Sequence, residues 1–104
     1  MARVQILEQA ADEATEAAAW YERQRPGLGA EFAEAVNATL DLLEEDVVPL
    51  TRMPGIAGRE GAKRLIMSRF PYDIVVLERG DEITVVAVAH HSRRPGYWRE
   101  RLRT

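Results

Sequence analysis

Apolar residues recur at three- and four-residue intervals through the first half of the chain and in short continuous runs through the second, a pattern that predicts helices followed by strands. Val4 and Ile6 alternate with Arg3 and Gln5, predicting a short strand over residues 3–7. From about Gln9 the spacing turns helical, with Ala10, Ala14, Ala17, Ala18 and Tyr21 on one stripe and Asp12 and Glu13 near the positive end of the helix dipole. Pro26 disfavours helical geometry at Arg25, so this helix should stop at about Gln24, with Gly27 turning the chain. A second helix is predicted from Gly29 to Val48 on the stripe Phe32, Val36, Leu40, Leu43 and Val47, ended by Pro49. Neither helix is apolar all round, so the pair must bury its stripes against something, and a sheet is the obvious cover.

Residues 49–61 hold Pro49, Pro54, Gly55, Gly58 and Gly61 and read as an irregular loop, long enough to be functional or mobile. Three strands are predicted after it: Lys63 to Arg69, Ile74 to Glu78 and Ile83 to Ala89, the last two joined at Gly80-Asp81. Their runs Ile74–Leu77 and Val85–Ala89 are apolar at every position, which places them at the centre of a sheet covered on both faces. Phe70-Pro71-Tyr72 marks the bend before the second of these strands, where Arg69 and Tyr72 have structural uses. The expected fold is α+β, in the order β-α-α-β-β-β: a helical hairpin on a mostly antiparallel four-stranded sheet with a basic C-terminal tail, all within one domain spanning residues 1–104.

Composition narrows the class. The chain is 46% hydrophobic and 30% charged, as ordinary globular domains are, and its apolar runs are too short to span a bilayer. It has no cysteine, which removes any disulfide framework or thiolate metal site and agrees with a reducing cytoplasmic setting. The net charge of −3 hides a division: residues 1–50 carry three arginines against eleven acids, and residues 51–104 eleven basic side chains against six acids. The resulting polarity, −8 against +5, can hold an acidic or anionic partner on one side of an otherwise acidic protein.

The chemistry concentrates after the last strand, in His90, His91, Ser92, Arg93, Arg94, Pro95, Gly96, Tyr97, Trp98 and Arg99. Arginines grip phosphates or carboxylates through two parallel hydrogen bonds, and a Tyr-Trp pair offers faces for stacking or for docking a partner. The same two aromatics would serve equally to close the core while the arginines stay solvated. His90 and His91 have no third ligand at helical or hairpin spacing, so neither a metal site nor a cofactor is expected.

The segments RFPY, AAAWYERQRPGLGAEFAEAV and AVAHHSRRPGYWRER, in this order of elements, resemble the RelE/ParE superfamily of toxins from type II toxin–antitoxin systems, which includes plasmid stabilisation proteins. The resemblance implies a growth-arresting toxin held inactive by a cognate antitoxin, in a heterotetramer or larger assembly that reaches DNA only through the antitoxin. It implies one of two targets. ParE-like members inhibit DNA gyrase; RelE-like members are metal-free endoribonucleases that cleave mRNA on the ribosome. For the second activity the resemblance assigns Arg64, His91, Arg93 and Tyr97 as catalytic, and for either it assigns Arg94, Trp98 and Arg99 to target or partner binding. Cleaving relatives tend to carry basic residues where this chain has Ile66, Asp73 and His91, which tips the expectation toward gyrase inhibition. A protein-binding domain of the same fold without toxicity is the further alternative.

Overall fold

The computed structural model describes residues 2–45, 50–53 and 55–103. The helices form as the periodicity predicts: α1 spans Glu8–Gln24 and α2 spans Leu28–Glu45, with Ala10, Ala17, Phe32, Val36 and Leu43 buried. The expected end of α2 at Val48 and Pro49, and its stripe residue Val47, lie outside the described residues.

The corner between the helices shows how local sequence sets their packing. Arg25 is extended (φ −159°, ψ 127°), as the following proline demands, and Gly27 takes a φ of +90°. Glu22 then caps α2 from the side, its carboxylate accepting the amides of Gly27 at 2.9 Å and Gly29 at 3.0 Å. Gly29 lets the helices meet closely, since a Cβ there would lie 2.5 Å from the Ala18 carbonyl oxygen.

Five strands make one mixed sheet in the order β1-β5-β4-β3-β2: β1 Arg3–Ile6, β2 Thr51–Arg52, β3 Ala62–Ile66, β4 Tyr72–Arg79 and β5 Glu82–His90. β1 runs parallel to β5, and the other three pairings are antiparallel. The sheet therefore has one strand more than expected. β2 is only two residues long, too short for period-two alternation to register, yet the adjacent Met53 amide donates to the Ala62 carbonyl at 3.0 Å. The same stretch, expected to be irregular, also holds the five-residue helix α3, Gly55–Arg59.

The apolar runs do occupy the centre, on β4 and β5, and both faces are covered. On one face Ile74, Val76, Ile83, Val85 and Val88 pack against α1 and α2, beside an aromatic cluster in which the rings of Tyr21, Phe32, Phe70 and Tyr72 lie 5.0–6.3 Å apart. On the other, Val75, Leu77, Val86, Ala87 and Ala89 are roofed by Trp98 and Leu102 of the tail, which ends in a 3-10 helix over Arg99–Arg103.

A bulge in β5 decides what the second face displays. Val75 pairs with Ala87 and Val76 with Val85, so Val86 is the extra residue. Ile83 and Val85 face the helices, Val86 and Ala87 both face the tail, and Val88 returns to the helices. A one-residue slip inverts every later side chain, and here it carries Ala89 and His91 onto the tail side, beside Asp73 of the neighbouring strand.

Candidate functional site

The tail face carries a cleft of about 310 Å³ into which β3 sends Arg64 and Ile66, β4 sends Asp73 and Val75, and the chain after β5 sends His91, Arg93, Arg94 and Tyr97. The fold thus brings together most of the residues singled out in the sequence. Arg99 lies over the rim in an adjoining groove that also takes Arg94 and Tyr97.

Asp73 sits in the floor of this cleft and is itself only 14% exposed. Its Oδ1 lies 2.9 Å from His91 Nε2 and its Oδ2 lies 3.6 Å from an Arg64 guanidinium nitrogen, so one carboxylate faces two of the four residues expected to be catalytic. A phosphate oxygen brought within about 4 Å of that carboxylate would meet a repulsion of about 4 kcal/mol at an effective dielectric of about 20. A cation at the same distance attracts that oxygen by a similar amount, so Asp73 cancels the pull of Arg64 on an incoming phosphate.

Tyr97 is also engaged. Its hydroxyl donates to Glu13 Oε2 of α1 at 2.5 Å, and the Arg93 guanidinium lies over its ring at 3.9 Å from the centroid. Burial, followed by the hydrogen bond to Glu13 and that carboxylate's charge, raises the phenol pKa well above its ordinary value, so the group stays protonated near neutral pH. A phenol that gives its proton to a fixed carboxylate is poorly placed to give it to a leaving group.

Glu13 ties the tail to the sheet. β1 covers β5 only as far as Val85, so beyond that point the edge of β5 has no strand neighbour on that side. Glu13 Oε1 accepts the Val88 amide at 3.0 Å, and Arg101 donates to the Val86 carbonyl at 3.0 Å and to Glu13 at 2.9 Å. Side chains take over the hydrogen bonds a strand would have made, and the same contacts fix the tail. Sequence reasoning missed this role, treating Glu13 only as a favourable charge near a helix start. The signal was present: Glu13 stands three residues after Ala10 and four before Ala17, on the buried stripe, where a carboxylate needs a partner.

Trp98 takes the core-closing role that the sequence offered it and not the partner contact to which it was also assigned: it is 2% exposed and fills the layer between the tail and the sheet, so it has no face to offer. His90 and His91, adjacent in sequence, diverge: His90 packs edge-on against Tyr72 and accepts from Ser92 through Nδ1, while His91 turns to Asp73. Arg94 has no ion-pair partner among the described residues, and Arg99 is only loosely paired, 3.9 Å from Glu60.

No family model matches the sequence, and a comparison with curated proteins finds no similar sequence. The fold does have a counterpart among solved structures. It superposes with a TM-score of 0.73 on a chain of the structure described as "Chromosomal ParDE TA system from P. aeruginosa", over 86% of this chain and 96% of that one, at 14% sequence identity. The chain therefore shares its architecture, two helices packed on a mixed sheet, with a component of a toxin–antitoxin system. Among the described residues no helix is long and apolar enough to cross a membrane.

Proposed function

We propose that this protein is a ParE-like toxin that arrests growth by inhibiting DNA gyrase through a binding surface, not a catalytic centre, and that a cognate antitoxin neutralises it. The observation that carries the choice of target is Asp73, whose carboxylate occupies the cleft between Arg64 and His91 where a phosphodiester would have to enter. The bond from Tyr97 to Glu13 supports the same choice, because it removes the acid a metal-free RNA cleavage would need. The likeness of fold to a ParDE component supports the toxin–antitoxin setting.

On this reading the target meets the outward side chains of the tail, Arg94 and Arg99, while Trp98 supports them from beneath. The antitoxin supplies an acidic, amphipathic segment whose apolar side meets exposed Ile66 in the cleft and whose acids meet the arginines at its rim, away from Asp73. The assembly is cytoplasmic, a heterotetramer or larger, and independent of metal or cofactor.

Induced expression without an antitoxin should stop growth, and co-expression of the adjacent open reading frame should restore it. Unaffected growth at confirmed folded expression would refute toxicity and leave a protein-binding domain of the same fold.

A further inference from the structure

The basic residues of this molecule are not evenly spread around the sheet. α1 and α2, which cover one face, carry ten acids and one arginine, whereas the tail on the opposite face carries five arginines and one glutamate between His91 and Arg103. Two of those five are committed: Arg101 is held by Glu13, and Arg93 is stacked on Tyr97. The other three, Arg94, Arg99 and Arg103, line a groove of about 300 Å³ on the tail's outer side. Arg94 and Arg103 are exposed and have no ion-pair partner among the described residues. Two acids share the groove, Glu60 and Glu100, and the 3.9 Å Arg99–Glu60 pair is half-exposed and therefore weak.

We propose that Arg94, Arg99 and Arg103 hold the phosphate backbone of duplex DNA directly. This goes beyond the gyrase reading, which needs only a protein target, and departs from the expectation that DNA is reached only through an antitoxin. Arg99 and Arg103 lie outside the cleft that holds Asp73, and Arg94 stands where cleft and groove meet, so phosphates can approach all three from the groove side. The lack of a stacking platform selects a duplex over a single strand. Proteins that hold single strands stack the bases on aromatic faces, worth about 1–3 kcal/mol each. Here Trp98 is buried, the Tyr97 ring is covered by Arg93, and the exposed Trp20 stands beside Glu16 on the acidic layer. What the tail presents is cations without a stacking platform, which suits a polymer whose bases are already stacked inside and whose outer surface is phosphate. Such contacts fix position and carry no sequence information.

The test is fluorescence anisotropy of the purified protein with a short labelled DNA duplex, titrated at salt from about 50 to 200 mM. Binding in the non-specific range, with Kd about 10⁻⁴ to 10⁻⁶ M, is expected, and so is a slope of log Kobs against log salt of about −2 to −3, at about 0.9 per phosphate held. Arg94→Ala and Arg103→Ala should each make the slope shallower by about 1, and Glu60→Gln should tighten binding. All three positions are at the surface, so circular dichroism should show folded variants. No saturable binding at the lowest salt, slopes unchanged by both arginine substitutions, or tighter binding of single-stranded RNA than of duplex would each overturn the proposal. The assay contains no gyrase, so its failure would leave the reading of the protein as a toxin standing.

Discussion

Trp98→Ala is expected to lower the free energy of unfolding by about 3–5 kcal/mol, the range for truncating a fully buried large aromatic. Trp98 is 2% exposed and packs with Val75, Val86, Ala87, Ala89 and Leu102 between tail and sheet, so the substitution leaves a cavity that small neighbours cannot close. Set against a total stability of about 5–15 kcal/mol for a domain of this size, the loss is large. Urea unfolding should show a lower midpoint at an unchanged slope, since native and unfolded states keep their character. A cost below about 1 kcal/mol, together with lost binding of a partner, would favour the contact role for Trp98 over the core-closing one.

Glu13→Ala should have the next largest effect, about 3 kcal/mol, through a different mechanism. Glu13 and Arg101 are 14% and 19% exposed, so removing the carboxylate takes a charged partner from a largely buried guanidinium. It also strands the Tyr97 hydroxyl and the Val88 amide, both of which point at Glu13. Because the same contacts fix the tail, its arginines should become trypsin-sensitive at temperatures where the helices remain intact. Replacing Glu13 and Arg101 together by apolar residues should recover part of the loss, since a buried pair removed whole costs less than one broken in half. A loss in the double variant equal to the sum of the two single losses would mean that the pair does not act as a unit.

The fold was legible because its periodicities are clean. Ala10 to Tyr21 and Phe32 to Leu43 mark helices that must pack on something, and the unbroken runs of β4 and β5 mark strands buried on both faces. β2 and α3 were not legible. A two-residue strand has no period, and in a stretch with Pro54, Gly55, Gly58 and Gly61 local propensity argues against any element.

The site was legible as a set of residues but not as a set of roles. Arg64, His91, Arg93, Arg94 and Tyr97 do share one cleft. What each does depends on two carboxylates distant in sequence, Asp73 facing Arg64 and His91, and Glu13 holding Tyr97 and Arg101. The bulge at Val86 matters most and is least visible, because in a run of five small apolar residues no side chain reports which face it takes. Without that extra residue His91 would lie on the helix side of the sheet, away from Asp73.

On the proposed reading the tail face acts by binding and not by cleaving. The most direct measurement adds the purified protein to a gyrase supercoiling reaction and, in parallel, to translating ribosomes with end-mapped mRNA. Supercoiling should be blocked, the block should weaken in Arg94→Ala, and mRNA should stay intact. Cuts in the mRNA that vanish in Tyr97→Phe, with gyrase unaffected, would contradict that reading.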